Sequence, residues 1–411
     1  MTLGNIIVGL DIGTSKVVVT VAEVNEYGQI NIIGMGRTAS TGLKKGLIVD
    51  IDRTVKGIKE AVEAAERMSG VEISGVTVGI GGQHISSLKS RGVVGISNAE
   101  KEVTPNDVQR VLQASKVVTL PPDRRIIHCL PRQYFMDGND GIIDPVGMSG
   151  ERLEVETIIV TGLATAIQNI IKSVALADLQ VVELVLNPLA SANAVLQPAE
   201  KDLGCVLVDI GGGTTEITIF DEGSLWWTGI VPIGGDHITS DLAVGLRAPI
   251  DLAEKVKMEH GCVLTELVPD DEYISVPGVE KQEVKQVSKK FVSSIIKPRV
   301  QEMLAMVKDQ VTRSNYAGML PGGIIISGGI AGLEGLSQLA AQELGLPVRI
   351  GRPDGVGGLF DMAEDPSYAT SIGLLIHGSN QLAYQETAAD GQTLSRVWGK
   401  LSGWLRDYLG L

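Results

Sequence analysis

One glycine-rich segment constrains the fold of this chain most. An apolar run ends in an aspartate, three glycines and two threonines, in Val206-Leu207-Val208-Asp209-Ile210-Gly211-Gly212-Gly213-Thr214-Thr215-Glu216. Alternating apolar residues follow it, so the pattern predicts a strand, a tight turn and a second strand. Glycine N–H groups can approach a ligand closely, threonine hydroxyls add donors, and a strand-end aspartate suits hydrated Mg²⁺. The segment predicts a phosphate-binding turn, with a flexible hairpin as the alternative.

The same plan occurs near the N-terminus. Ile6 to Leu10 form an apolar run, Asp11-Ile12-Gly13 follows, and hydroxyl residues lead into a second apolar run at Val17 to Val19. Two copies of one hairpin, each opening one half of the chain, predict a duplicated architecture. We expect the two turns to face each other and to hold a polyphosphate from both sides, with Lys16 adding positive charge.

Two more glycine pairs precede predicted helices. Gly328-Gly329 follows an apolar run, and Gly234-Gly235 follows Ile233. Backbone N–H groups at such helix starts can approach a phosphate or nucleoside. Both pairs are therefore predicted to lie near a ligand.

A charged pair lies on the predicted helix 250–261. Glu254 and Lys257 are three residues apart and so share one helical face. The spacing alone leaves open whether they form a solvated ion pair or belong to a site.

Charge and cysteine usage limit the class of protein. The 411 residues carry a formal net charge of −14, which disfavours nucleic-acid binding. The three cysteines are far apart in sequence, which indicates neither a disulfide framework nor a metal site and favours a reducing cytosol. The N-terminus lacks the basic region of a signal peptide, and no apolar run is long enough to cross a bilayer.

Residues 85–161 differ from the flanking segments in predicted secondary structure and in proline content. A polar helix is predicted to start at Thr104-Pro105, an N-cap followed by proline at the first helical position. Short predicted strands surround it, with four further prolines at Pro121, Pro122, Pro131 and Pro145. No cluster of catalytic residue types occurs here. The segment therefore predicts an inserted small domain with an interaction surface.

The C-terminal residues 395–411 predict an amphipathic helix. Its apolar face comprises Val397, Trp398, Leu401, Trp404, Leu405, Tyr408 and Leu409. Basic residues lie off that face, although the chain as a whole is acidic. A basic amphipathic helix with tryptophan on its apolar side is typical of the membrane interface, and docking on the body or a partner is the alternative. The polar residues 379–394 before it predict a linker.

Three glycine turns resemble those of the actin, sugar-kinase and chaperone-ATPase superfamily, namely Asp11-Ile12-Gly13-Thr14, Asp209 to Thr214 and Ser327 to Ala331. Within it, four features resemble the FtsA family of actin-like bacterial cell division proteins: Gly81-Gly82-Gln83-His84-Ile85-Ser86, Asn187-Pro188-Leu189-Ala190-Ser191, the helix 254–262 and the C-terminal amphipathic helix. The resemblance covers essentially the whole chain. It implies an ATP-binding protein that polymerises head to tail on the inner face of the cell membrane at the division septum, with anionic lipids, the C-terminal tail of FtsZ and other division proteins as partners.

The resemblance implies an α/β fold with two actin-like, ribonuclease H-like lobes around a nucleotide cleft. Residues 1–84 and 162–196 would form the first lobe, with 85–161 as the inserted small α+β domain. Residues 197–233 and 309–378 would form the core of the second lobe, with 234–308 as its small subdomain. The FtsZ tail would bind that subdomain, where the basic candidates are Lys289, Lys290, Lys297 and Arg299.

The resemblance also implies residue roles. Mg²⁺ would be held through water by Asp11 and Asp209. The phosphates of ATP would lie between Gly13, Thr14, Ser15 and Lys16 on one side and Gly211, Gly212, Gly213 and Thr214 on the other. Glu254 and Lys257 would contact ribose and adenine, with Gly234 nearby and Gly328, Gly329 and Ile330 behind the adenosine.

Asn187 occupies the place where fast members of the superfamily carry a Glu or Gln that orients water. An amide on this shorter side chain can hydrogen-bond water but is a poor base, so we expect tight ATP binding with at most slow hydrolysis. The nucleotide would then act mainly as a polymerisation switch. The alternatives are a small-molecule kinase of the same superfamily, for which no carboxylate base is evident, and a soluble chaperone-like ATPase, which would need a substrate-binding domain.

Overall fold

The computed structural model describes residues 5–277, 284–316, 318–358 and 364–390. The strands are, in chain order, β1 Asn5–Ile12, β2 Lys16–Val24, β3 Ile30–Ala39, β4 Leu43–Lys44, β5 Leu47–Ile48, β6 Gly75–Ile80, β7 Ser86–Gly95, β8 Arg124–Met136, β9 Asn139–Ile142, β10 Arg152–Leu163, β11 Gln180–Leu186, β12 Cys205–Ile210, β13 Thr215–Asp221, β14 Ser224–Val231, β15 Tyr273–Pro277, β16 Val284–Ser288, β17 Ile324–Gly328, β18 Val348–Ile350 and β19 Val356–Gly358. The α-helices are α1 Ile51–Ser69, α2 Pro105–Ser115, α3 Ala164–Leu176, α4 Asn187–Val195, α5 Pro198–Leu203, α6 Gly235–Leu246, α7 Ile250–His260, α8 Lys289–Arg313, α9 Leu336–Leu344 and α10 Ala369–Asp390.

Two sheets of the same plan form the two lobes. The first has the strand order β11-β6-β1-β2-β3-β19, and the second has the order β14-β13-β12-β17-β18. In each, an antiparallel meander of three strands is extended at one edge by two parallel strands, paired as β6–β1 and β11–β6 in the first sheet and as β12–β17 and β17–β18 in the second. In the first sheet, β19 adds a further parallel strand at the other edge, on β3. This confirms the predicted duplication.

Apolar, β-branched runs place these strands in the interior. Val206, Leu207 and Val208 of β12 are completely buried, as are Val18 and Val19 of β2. Burial on both faces explains why these strands are nearly continuous apolar runs rather than alternating ones. Each run ends where the chain turns back, and the polar turn residues therefore emerge at the edge of the buried sheet.

The inserted domain is a separate antiparallel sheet with the order β7-β10-β8-β9, and α2 packs on it. Thr104 caps α2 through a capping box with Asp107, and Pro105 starts the helix. A small core that includes Val111, Leu153 and Val155 holds the helix to the sheet. The domain leaves the first lobe after β6 and rejoins it at α3.

The inserted domain also contacts the second lobe at Trp226 on β14. The ammonium nitrogen of Lys89 lies 3.5 Å from the centroid of the Trp226 ring, and the guanidinium carbon of Arg132 lies 3.6 Å from it. The Ser87 hydroxyl donates to the carbonyl oxygen of Thr228 at 3.3 Å. The Trp226 ring therefore forms part of an interface between the inserted domain and the second lobe.

Two helices join the lobes. The chain passes from the first sheet to the second through α4, and α10 packs on α4 and on β1 of the first sheet. A Cβ added to Gly373 of α10 would lie 1.8 Å from the carbonyl oxygen of Ala190, so glycine permits this close contact. A shared apolar cluster includes Val18 of the first lobe, Leu207 of the second and Ile372 of α10.

Two predicted boundaries differ from this arrangement. The sequence analysis assigned 309–378 to the second lobe, but β19 pairs with β3 of the first sheet and α10 packs on that sheet. It also predicted a linker at 379–394, but α10 continues to Asp390. Residues 381–389 contain no glycine or proline, and good helix formers such as Gln381 and Leu382 extend the helix. Within the described ranges, no helix has the length and apolarity needed to span a membrane.

Candidate functional site

The two glycine turns have matching internal geometry and face each other. Gly13 N–H donates to the carbonyl oxygen of Lys16 at 2.9 Å, and Gly211 N–H donates to that of Thr214 at 2.9 Å. A Cβ added to Gly212 would lie 1.7 Å from the Ser15 hydroxyl of the opposite turn. Glycine is therefore required for this close approach, and the two lobes meet at the two turns, as the sequence predicts.

A cleft of about 240 Å³ lies between the lobes at these turns. It brings together most of the predicted residues, namely Asp11, Gly13, Thr14, Ser15, Lys16, Asn187, Asp209, Gly211, Gly212, Thr214, Glu254, Lys257, Gly328, Gly329 and Ile330. Gly213 and Gly234 do not line it. A Cβ on Gly213 would meet the Thr14 side chain at 2.9 Å, and one on Gly234 would meet the carbonyl oxygens of Gly211 and Gly212 at 2.4 Å. These two glycines allow the turns to pack rather than contacting the cleft.

Asp11 and Asp209 end equivalent strands in the two lobes. Burial raises the pKa of Asp11 to about 6, although the nearby Lys16 ammonium opposes the change. Burial also raises the pKa of Asp209, against hydrogen bonds from Ser191 and Thr370. Two carboxylates in a closed space disfavour each other's charge, and a bound divalent cation would relieve this. The donor set suits a hard cation surrounded by oxygen.

The sequence analysis missed Glu216. It is the register partner of Asp209 across the β12–β13 hairpin, so the two side chains leave the sheet on the same face. The Gly82 N–H of the first lobe donates to Oε1 of Glu216 at 3.0 Å, across the cleft. Burial and the charge of Asp209 raise the pKa of Glu216 to about 8, so the carboxyl is mainly protonated at neutral pH. The sequence could have indicated Glu216, because a tight turn after Asp209 pairs these two residues across the predicted hairpin.

Asn187 starts α4 inside the cleft. A Cβ on Gly79 would lie 2.5 Å from Asn187 Oδ1, and one on Gly81 would lie 2.6 Å from Asn187 Nδ2, so glycines make room for the amide. Oδ1 is buried, and no described residue donates a hydrogen bond to it. A buried acceptor of this kind normally pairs with an ordered water or a ligand.

Lys16 lines the cleft but is held by the 3-10 turn Pro366–Tyr368, which immediately precedes α10. Its ammonium donates to the carbonyl oxygen of Ser367 at 2.6 Å and to the Ser367 hydroxyl at 2.9 Å. It also lies 4.0 Å from the centroid of the Tyr368 ring. Burial lowers the pKa of Lys16 to about 8, because the charged form is desolvated. A phosphate near Lys16 would have to share this ammonium with the Ser367 oxygens.

Glu254 and Lys257 form a partly buried cluster with Thr239 of α6. The Lys257 ammonium donates to Glu254 Oε2 at 2.6 Å and to the Thr239 hydroxyl at 2.8 Å. The Lys257 side chain is only 3% exposed, whereas that of Glu254 is 45% exposed, so the ion pair is only partly solvated. Ile330 lies beside this cluster, since a Cβ on Gly235 would meet both Ile330 Cγ2 and Lys257 Nζ. The Lys257 ammonium also donates to the carbonyl oxygen of Gly235 at 3.2 Å, so the cluster lines the cleft beside the start of α6.

Gly328 closes the cleft behind Asp209. Its φ of +93° lies in the region that favours glycine. A Cβ there would lie 2.5 Å from Asp209 Oδ1, so glycine is needed on both counts. Gly329 has no atom within 4 Å of an added Cβ and therefore faces open space.

The remaining predicted residues lie elsewhere. The membrane residues, Val397, Trp398, Leu401, Trp404, Leu405, Tyr408 and Leu409, fall outside the described part of the chain. The four basic candidates for binding an acidic peptide are each paired with an acid, in Lys289–Glu272, Lys290–Asp270, Lys297–Glu266 and Arg299–Asp241. An acidic peptide would have to displace or share these partners.

The fold and the cleft define the class of protein as actin-like. A structure described as the PilM-PilN type IV pilus biogenesis complex is similar at 16% identity with a TM-score of 0.63, covering 91% of this chain and 98% of that chain. Spiroplasma citri MreB 5 bound to AMPPNP is similar at 14% identity with a TM-score of 0.56, covering 93% of this chain and 98% of that one. At these identities the likeness concerns the fold alone.

Sequence comparison identifies the family. The profile "Cell division protein FtsA" matches residues 206–373, and "SHS2 domain inserted in FTSA" matches 82–161. The chain is 42% identical to cell division protein FtsA of Pseudomonas aeruginosa, over 95% of this chain and 92% of that protein. It is 36% identical to that of Escherichia coli strain K12, over 98% and 97%. The chain belongs to the FtsA family of cell division proteins.

Proposed function

We propose that this protein binds ATP with Mg²⁺, polymerises on the inner face of the cytoplasmic membrane and tethers FtsZ filaments at the division septum. The observation that carries the proposal is the pair of facing glycine turns around Asp11 and Asp209, one from each lobe. Membership of the FtsA family supports the cellular role.

The residues of the cleft fit a metal–nucleotide complex. Asp11 and Asp209 would hold the cation through water, and the N–H groups of the two turns would face the phosphates. Lys257 and Glu254 would contact the nucleoside, beside Ile330. When bound, Mg²⁺ would neutralise phosphate charge. Asn187 Oδ1, which is buried and has no partner among the described residues, fits a site made for a hydrated group.

We expect slow hydrolysis. Hydrolysis needs a base that accepts a proton from water, and Asn187 is the cleft side chain predicted to face that water. Asn187 can orient a water but cannot accept its proton. The nucleotide would therefore persist and act chiefly on assembly.

Glu216 also supports a second candidate function. A small-molecule kinase needs a carboxylate near the transferred phosphate, and Glu216 supplies one that the sequence analysis did not identify. A phosphotransfer assay over a broad panel of small alcohols and sugars distinguishes the two. Transfer to a small molecule faster than hydrolysis would favour the kinase.

Membrane attachment is assigned to residues 395–411. One short amphipathic helix binds reversibly, so attachment would strengthen greatly when many copies assemble. The FtsZ tail is assigned to the subdomain 234–308. Because an acidic peptide would be attracted to these cations by charge, and salt screens such attraction near the surface, we expect binding there to weaken as salt rises.

One experiment tests assembly and attachment together. The full chain with ATP and Mg²⁺ is applied to an anionic lipid monolayer and imaged by electron microscopy. We expect filaments on the lipid, and their loss in Trp404→Glu, in a chain truncated before Ser395 and in Asp209→Ala. The Asp209 variant should still bind vesicles, whereas the tail variants should still bind ATP. Filaments that persist in all three variants would refute the proposal.

A further inference from the structure

Buried hydroxyl groups contact both aspartates of the cleft. The Ser371 hydroxyl donates to Asp11 Oδ2 at 3.3 Å. The Ser191 hydroxyl donates to Asp209 Oδ2 at 2.6 Å, and that of Thr370 donates to the same oxygen at 3.4 Å. Ser191 and Ser371 have no exposed surface. Each aspartate therefore has one carboxylate oxygen fixed by a hydroxyl.

These hydroxyls come from the two helices that join the lobes. Ser191 lies on α4, and Thr370 and Ser371 lie in the first turn of α10. The Ser191 and Thr370 hydroxyls are also 2.9 Å apart, within hydrogen-bonding distance of each other. The neighbours Thr370 and Ser371 thus contact aspartates that belong to different lobes. The first turn of α10 therefore connects the two halves of the acidic centre formed by Asp11 and Asp209.

We propose that Ser191, Thr370 and Ser371 are positioning residues that orient Asp11 and Asp209 toward a hydrated divalent cation. The proposal rests on the proposed function, since it assigns the acidic pair to metal binding. A hydroxyl that fixes one carboxylate oxygen limits rotation of the group and leaves the other oxygen to accept hydrogen bonds from metal-bound water. Without these hydroxyls the carboxylates would remain but would lose their fixed orientation.

The test separates metal binding from nucleotide binding. ATP affinity is measured by calorimetry on the full chain, once with Mg²⁺ and once with EDTA, in wild type, Ser191→Ala and Thr370→Val. We expect the gain in affinity from Mg²⁺ to fall by roughly 10- to 100-fold in the variants, while the affinity in EDTA stays within about twofold. Thr370→Ser keeps the hydroxyl and should restore the gain.

A matched control exists on α3. Ser173 is completely buried, and no described residue pairs with its hydroxyl. Ser173→Ala makes the same change in a buried helix away from the aspartates, so it should leave the Mg²⁺ gain unchanged. Thr370→Val nearly preserves side-chain shape, and thermal unfolding compared with Thr370→Ser shows whether either variant fails to fold.

Mn²⁺ titration of the nucleotide-free chain, followed by electron paramagnetic resonance, provides a readout that does not need ATP. We expect weaker Mn²⁺ binding in Ser191→Ala and Thr370→Val than in wild type and Ser173→Ala. The proposal would be overturned if Ser191→Ala and Thr370→Val bound Mn²⁺ as tightly as wild type, or if Mg²⁺ raised their ATP affinity as much as it does in wild type. It would also be overturned if they lost ATP affinity equally in Mg²⁺ and in EDTA. Failure of wild type to bind ATP would refute the proposed function, and the Mn²⁺ titration would still decide the role of the hydroxyls.

Discussion

Replacing Glu216 with Gln should change how the stability of the nucleotide-free protein depends on pH. Burial and Asp209 raise the pKa of Glu216 from 4.5 to about 8 in the folded chain. The folded state therefore retains a proton that the unfolded state releases, and the free energy of unfolding must fall as pH rises from about 4.5 to about 8. A glutamine side chain at this position has no proton to release, but it keeps an oxygen that can accept the hydrogen bond from Gly82.

The size of the effect follows from the two pKa values. Between them, one group contributes a slope of about 1.4 kcal/mol per pH unit. From pH 5.5 to pH 7.5, wild type should lose roughly 2 to 3 kcal/mol of unfolding free energy relative to Glu216→Gln. Other titrating groups are present in both proteins, so the difference between the two chains reports Glu216 together with its coupling to Asp209.

Urea unfolding followed by circular dichroism measures this difference. Both chains are unfolded at pH 5.5 and pH 7.5 with EDTA and without nucleotide, and we expect the advantage of Glu216→Gln to grow with pH. Glu63 is an exposed acid on α1, so Glu63→Gln should show no such trend. A difference between Glu216→Gln and wild type that is the same at both pH values would refute the reasoning, because it would mean that Glu216 ionises normally in the folded chain.

Three further predictions test other parts of the site and its surroundings. Gly234→Ala forces a Cβ to 2.4 Å from two carbonyl oxygens of the neighbouring turn, so the free energy of unfolding measured in urea should fall by about 1–3 kcal/mol. Gly332→Ala is the control and should show no such loss, because an added Cβ there meets no atom within 4 Å. Lys257→Met removes a buried ammonium, so ATP should bind at least about tenfold more weakly by calorimetry, whereas the same change at the exposed Lys255 should have little effect. Trp226→Leu removes an aromatic face that two cations of the inserted domain contact. Hydrogen exchange measured by mass spectrometry should therefore accelerate in β7 and β8 but not in β1. Unchanged exchange in β7 would contradict this prediction.

The sequence predicts those parts of the fold that depend on local patterns. A run such as Val206 to Ile210, followed by glycines, specifies a strand and turn within about ten residues, and the repeated copy at Asp11 implies that two such units pair. Each turn also carries its own ligand-facing groups. The position of the cleft and most of its lining could therefore be predicted from sequence.

Other features depend on contacts between distant segments. Whether Lys257 is solvated or buried is decided by Thr239 and by the packing of α6 on α7, which the spacing to Glu254 does not determine. Likewise, α10 packs on the first lobe although the strands β17 and β18, which precede it in the chain, belong to the second. Trp226 contacts the inserted domain, whose strands lie about a hundred residues earlier in the chain.

The placement of the acidic centre explains why the joining helices matter to this site. Asp11 and Asp209 belong to different lobes, so the distance between them depends on the angle between the lobes. Any rotation of one lobe against the other must act on α4 and α10, which pack without a gap at Gly373 and Ala190. A group bound by both aspartates would restrain that rotation, and the first turn of α10 would bear the restraint through its hydroxyls. Occupancy of the cleft by such a group would therefore be coupled to the orientation of α10 through these contacts, and α10 is the described helix that leads toward residues 395–411.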